Sequence, residues 1–240
     1  MMIKKIIATV YGFIFAVVWL HAQKPDDGLF TRPLGSFTEK GFYLDGQKDG
    51  SWIKESRTGA VAELETYKKG KKHGLSLSFD NAGAVSKQAF YVDGLIHGQV
   101  IEYFSANKVK TKINYLHGEL HGISMTYYES GRLMEEANYR NGVKEGTVKW
   151  YDDNARLVAQ YQYEAGAFHG TNRTFHQNGN IKTEEEYVND QKDGGFVEYY
   201  PTGKLKLKGF YRADEKIGEW VEYDPRGQVM STTSYTNDTE

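Results

Sequence analysis

"YLHGELHG", Tyr115 to Gly122, sets two histidines four residues apart with a glutamate between them. On a helix that spacing puts both imidazoles on one face, as in zinc hydrolases. The helical reading holds only if the stretch stands alone, and it does not. Tyr43, Tyr67, Tyr91, Tyr115, Tyr139, Tyr163, Tyr187, Tyr211 and Tyr235 follow one another every 24 residues, with eight units between them. A fixed period of this length marks a repeat array.

Other positions keep the register. Seven residues after each Tyr stands Gly50, Gly74, Gly98, Gly122, Gly146, Gly170, Gly194 or Gly218. Twelve after it comes an aromatic in seven of eight units, with Glu55 as the exception. Eighteen after it is always aliphatic, from Val61 to Val229. "YLHGELHG" therefore has sisters such as "YLDGQKDG", "YVDGLIHG" and "YRNGVKEG". Two glycines in eight residues oppose a helix. His117 aligns with Asp45, Lys69, Asp93 and Asn141, the composition of a surface turn. His121 recurs as His73, His97 and His169. Successive two-strand units place equal positions about 9–10 Å apart, too far for ligands that each sit about 2.0–2.1 Å from one zinc. The reading is a turn, with no metal and no cofactor.

Positions 10, 12, 18 and 24 after each Tyr are largely apolar, as in Ile101, Tyr103, Val109 and Tyr115. Polar Glu102, Lys110, Lys112 and Asn114 alternate with them, the period of a strand. The pattern breaks at "SANK", Ser105 to Lys108, and at "ESGR", "QNGN" and "PTGK" in other units. Each unit is thus a β-hairpin, joined to the next by its "xxGxxxG" segment. The fold class expected is all-β: an elongated single-layer antiparallel sheet of eight stacked hairpins, roughly 75 Å long before twist. The Tyr and aliphatic positions should line one face, curved into a groove. "GSFTEKGFY", from Gly35, supplies a capping half-unit.

The pattern "Y-x-x-G-x-x-x-G" followed by an aromatic strand resembles the MORN repeat, and is closest to its bacterial 24-residue variant. The resemblance covers residues 35–235. It implies a scaffold, and such proteins are also described as antitoxins. In larger proteins MORN arrays are associated with scaffolding and with phospholipid binding. Asp190 and Asp214, where the first Gly of the turn usually sits, imply altered end units.

The N-terminus reads as a signal peptide, residues 1–22: Lys4 and Lys5, an apolar stretch from Ile6 to Leu20, and Ala22 at the cleavage point. A lead segment at 23–34, the array at 35–235 and a tail at 236–240 complete the chain. The expected location is exported: periplasmic, outer-membrane associated or secreted. The absence of cysteine excludes disulfides, cysteine catalysis and a lipid anchor on Cys. A net charge of −2 gives no reason to expect nucleic acid.

No G-x-S-x-G, P-loop or G-x-G-x-x-G occurs, so the chain is read as a non-enzyme. Candidate binding residues fall into three sets. Tyr103, Tyr127, Tyr151, Tyr199 and Tyr223 form a tyrosine row, core or groove surface. Trp52, Phe196 and Trp220, nine after their Tyr, have the other parity and are expected on the exposed face. Lys68, Lys69, Lys71 and Lys72 form a basic cluster suited to an anionic lipid or glycan. The functional expectation is a scaffold for a protein or envelope component. An antitoxin-like neutraliser and a carbohydrate- or phospholipid-binding envelope protein are the alternatives.

Overall fold

The computed structural model describes residues 26–236, so the signal-peptide reading lies outside the described residues. The strands form one antiparallel sheet of 21 strands. Strong contacts join strands that are neighbours in sequence. The layout is the expected meander of hairpins, and a single 3₁₀ turn, Ser105–Asn107, occupies the "SANK" break. Among the described residues no helix is long and apolar enough to cross a membrane.

The period originates in the turn after each Tyr. Leu116 pairs with Glu119 and Tyr115 with Leu120, leaving His117 and Gly118 as a two-residue loop. Both central residues have positive φ, 51° at His117 and 89° at Gly118. That is the type I′ geometry, which matches strand twist and favours Asn-Gly and Asp-Gly. Asp45-Gly46, Asp93-Gly94 and Asn141-Gly142 repeat it. The opening stretch is therefore a hairpin turn, and His121 lies exposed on the strand Glu119–Tyr127 that follows.

These turns are tied to one another. The N–H of the second central residue donates to a carbonyl of the preceding unit: Gly70 to Lys48, Gly94 to Lys72, Gly118 to Ile96, and so on to Asp214 and Lys192, at 2.8–3.0 Å. Asp190 and Asp214 keep the same turn, each with φ 68°. Their carboxylates also accept N–H groups of the preceding unit, from Phe168 at 2.7 Å and Lys192 at 2.8 Å. They are tighter versions of the turn rather than altered end units.

The face assignment differs from the expectation. A two-residue loop pairs residue n with residue n+5, so an even position on one strand faces an odd position on the next. Each repeat Tyr therefore shares its face with the residues five, nine and eleven after it. The residues ten and twelve after it point the other way: Ile101 pairs with Gln88 and Lys112, and the Tyr127 hydroxyl donates to Met125 Sδ at 3.2 Å. Trp52, Phe196 and Trp220 are only 2%, 9% and 4% exposed, on the tyrosine face. The reading that placed them on an exposed face is overturned by this parity change.

The array also begins one strand earlier than its first half-unit. Gly28–Leu34 pairs with Phe37–Leu44 through another two-residue loop. Phe30 there sits edge-on to Tyr43 at 5.1 Å, as Trp52 does at the same distance. The two terminal tryptophans share one device: each indole lies over a glycine of the adjoining strand. A Cβ on Gly41 would come within 2.1 Å of Trp52, and one on Gly209 within 2.2 Å of Trp220.

Gly209→Ala should destabilise the protein by about 1–3 kcal/mol, the usual cost of overpacking. In a Trp220→Val background the same change should be nearly neutral, because Val100 and Val148 occupy the equivalent position in other units. Urea melts of the four proteins check this. Equal costs in both backgrounds would contradict the stacking account.

Candidate functional site

The tyrosine face is the surface the repeat builds. Opposite each Tyr, five residues on, stands Lys48, Lys72, Lys144, Lys192 or Lys216 in five units, and Ile96, Leu120 or Phe168 in the others. The lysines lie along aromatic rings. Lys48 Nζ is 4.0 Å from the Trp52 ring centre, and Lys216 Nζ is 4.2 Å from that of Trp220. Their stems cover ring surface while the ammonium reaches a partner.

Most of those partners are glutamates on the same face. Lys48 pairs with Glu39 and Lys72 with Glu65. Lys144 meets Glu135 at 3.0 Å and Lys192 meets Glu185 at 3.1 Å. Tyrosine hydroxyls join the same groups: Tyr67 donates to Glu65 at 2.6 Å and Tyr187 to Glu185 at 2.8 Å. Burial raises the Tyr67 and Tyr187 hydroxyls above the ordinary phenol range, and their glutamate partners push them further. Burial opposes the charge on Glu65, but the Lys72 ammonium and the Tyr67 hydroxyl outweigh it and hold the carboxyl below its usual range. Burial opposes the charge on Lys72 likewise, and Glu65 more than offsets it.

The floor of this face is the position nine after each Tyr: Trp52, Ser76, Val100, Ser124, Val148, Asn172, Phe196 and Trp220. Two hollows occur where that residue is small or polar. One of about 230 Å³ lies over Ser76, between Glu65, Lys72, Lys87 and Tyr91. The other, of about 220 Å³, lies at Asn172, with Tyr161, Phe168 and Tyr187 as walls.

The expected binding residues do not form one site. Trp52 and Trp220 are buried at the two ends of the tyrosine face. Tyr103, Tyr127, Tyr151, Tyr199 and Tyr223 are half-buried, and belong to the opposite face. There the Tyr199 hydroxyl reaches Glu184 at 3.3 Å and Lys208 lies 5.8 Å over the Tyr223 ring. Their parity again separates them from the repeat Tyr. Lys68, Lys69 and Lys71 are exposed at one turn, whereas Lys72 is turned onto the tyrosine face and ion-paired. Lys69 donates its backbone N–H to Asp49 at 3.1 Å, so an acid stands beside the cluster. The four lysines are not a single basic patch. Reading the two-residue turn first would have shown which residues share a face with Tyr.

Among the described residues no three of His, Cys, Asp and Glu converge as a metal site would require. The His97 and His117 rings, on successive units, stand 5.4 Å apart and tilted at 59° to one another.

The model of the MORN repeat variant matches residues 120–141, 168–189, 192–213 and 216–237. Each match starts on the strand residue that faces a repeat Tyr, and the first three end in the next type I′ turn, so the family's unit and the structural unit coincide. The chain is a MORN-repeat protein. MORN repeats serve binding and scaffolding. No curated protein matches the chain. In this MORN array the unmatched units keep the same period, the same turn and the same ladder between turns.

The ionisation of the tyrosine face sets a pH limit. Tyr67, Tyr187 and Lys72 all hold their protons more tightly in the fold. Their stabilisation is therefore complete below their unfolded values, about pH 10, and is lost as pH rises through the folded values. Urea melts between about pH 9 and 12 should show stability falling, with phenolate absorbance lagging a denatured control. Tyr67→Phe should flatten part of that fall. A titration identical to the denatured control would contradict the arrangement.

Proposed function

We propose that this MORN-repeat protein is a non-enzymatic scaffold, exported to the cell envelope, that holds a protein partner along its tyrosine face. One observation carries the reading: the same Tyr–Lys–Glu grouping recurs along one face at a 24-residue period, as at Glu65, Tyr67 and Lys72 and again at Glu185, Tyr187 and Lys192. A recurring surface favours an extended partner over a single reacting centre. Aromatic rings with paired charges supply contact area and directed polar groups together. Export rests on the leader-like residues 1–22. Asp49 beside Lys69, and Glu65 paired with Lys72, favour a protein over an anionic membrane.

Immobilised protein of residues 23–240 should retain one protein from envelope extract in fixed proportion. Lys216→Glu, on the tyrosine face, should reduce that retention, and Lys149→Glu, on the opposite face, should leave it unchanged. Retention by anionic vesicles alone would replace the partner with a lipid surface. Growth rescue from a toxic partner would favour the neutraliser instead. The intact mass of the exported chain should correspond to a start at Gln23, and a chain retaining Met1 would contradict cleavage.

A further inference from the structure

The hollow at Asn172 breaks the repeat at three positions that face one another. Position five after Tyr163 is Phe168, where five other units carry lysine. Position nine is Asn172, in place of the Trp, Ser, Val or Phe of the other units. Two residues before Tyr163 stands Tyr161, where most units carry Gly, Ala, Glu or Ile. We propose that this hollow is a binding site for one ring of a neutral sugar, a pyranose.

Aromatic walls and a polar floor carry the assignment. Phe168 stands 5.4 Å from Tyr161, 4.8 Å from Tyr163 and 5.4 Å from Tyr187, measured between ring centres. Such walls suit the C–H faces of a saturated ring. Asn172 is only 4% exposed. Its Oδ1 accepts the Gln162 N–H at 2.7 Å, which fixes the amide and leaves the Nδ2 donor for the hollow. Thr174 and Thr183, with hydroxyls 2.6 Å apart, line the same floor. These groups match hydroxyls spaced round a ring edge. Polar groups buried against an apolar wall are the pattern that fixes a ligand's orientation.

Charge and size narrow the ligand. The single acid of the hollow, Glu185, is held by Lys192 at 3.1 Å and by the Tyr187 hydroxyl at 2.8 Å. With its charge compensated, the site gives no advantage to an ion. A volume of about 220 Å³ equals about seven waters at roughly 30 Å³ each. That is below the range of drug-sized pockets, about 300–1,000 Å³, and fits one ring. The hollow over Ser76 has comparable volume but is lined with Glu63, Glu65, Lys72 and Lys87, and lacks aromatic walls on both sides.

This inference goes beyond the protein-scaffold reading and does not depend on it. Full-length protein and two variants can be titrated with methyl glucoside, methyl galactoside and N-acetylglucosamine disaccharide by saturation-transfer NMR. Glucuronate and adenosine serve as the charged and planar controls. Phe168→Lys and Asn172→Val install residues that other units use at those positions, so the array should melt as the parent does. At least one neutral sugar should bind, with saturation strongest on its ring C–H protons. Each variant should weaken it by about tenfold. Loss of binding without a change in melting supports the site. No binding by any of the sugars overturns it, as does adenosine or glucuronate binding more tightly, or sugar binding that both variants retain.

Discussion

The two-residue turn with positive φ at both central positions is the constraint on which the rest of the molecule depends. A left-handed backbone is costly for residues with a side chain; the chain meets that demand at the second central position with glycine in six turns, from Gly46 to Gly166, and at the first with residues such as Asp45, Asp93, His117 and Asn141. The turn fixes the register of the two strands that it joins, because each repeat Tyr faces the residue five after it. It also exposes one N–H at a constant height, which the carbonyl of the preceding unit accepts. Register and stacking thus have one local origin. The array keeps its period because any inserted residue would disturb both at once.

Much of this was legible in the sequence. The tyrosine period, the glycines and the polar turns identified stacked hairpins and removed the zinc reading of His117 and His121. The faces were not legible from alternation alone. Alternation carried through the turn put Tyr115 with Ile101 and Tyr103, whereas cross-strand pairing puts it with Leu120 and Ser124. Trp52 and Trp220 went astray for the same reason. Their glycine partners were a readable signal: Gly41 and Gly209 each stand eleven residues before a tryptophan, and both tryptophans occupy the same repeat position. The first strand, Gly28–Leu34, escaped because its hairpin has a shorter loop and no repeat Tyr before it. Lys72 looked like a member of a basic run because the partner that neutralises it, Glu65, comes from the adjoining strand.

A sheet with no second layer has to bury its centre by other means. Val148 is fully buried and Ala137 is 2% exposed, although among the described residues no second layer is stacked on the sheet. Small or flat residues form the floor, and tall Tyr, Lys and Glu side chains close over them from the flanking strands. The lysines suit this position because an apolar stem can lie on a ring while its ammonium meets a carboxylate. Each strand depends on its neighbours alone, so stability accumulates along one dimension, as in other repeat arrays. The units nearest the ends carry the largest rings, Trp52 with Phe30 and Trp220 with Phe196, the latter pair stacked at 5.3 Å.

In such an array the shared residues are explained by folding, so a specialised function is to be sought where units differ. Most differences here are single and are compensated nearby: Glu55 replaces an aromatic and pairs with Lys40, and Asp190 replaces a glycine and gains a hydrogen bond to the preceding turn. The unit from Tyr163 to Tyr187 is of another kind. Phe168 and Asn172 change together on one face, next to Tyr161, and the substitutions open space rather than close it. A lysine at 168 would find no acid in the place that Glu65 has for Lys72, because Tyr161 stands there, and Glu185 keeps its regular partner Lys192. The floor is left polar but uncharged. Folding accounts for half of this buried asparagine: it accepts the Gln162 N–H, as the valine used at 100 and 148 could not, and a buried amide is costly unless it is hydrogen-bonded. Its oxygen is held by the backbone and its nitrogen is left over, which is the arrangement of a group positioned for something outside the chain.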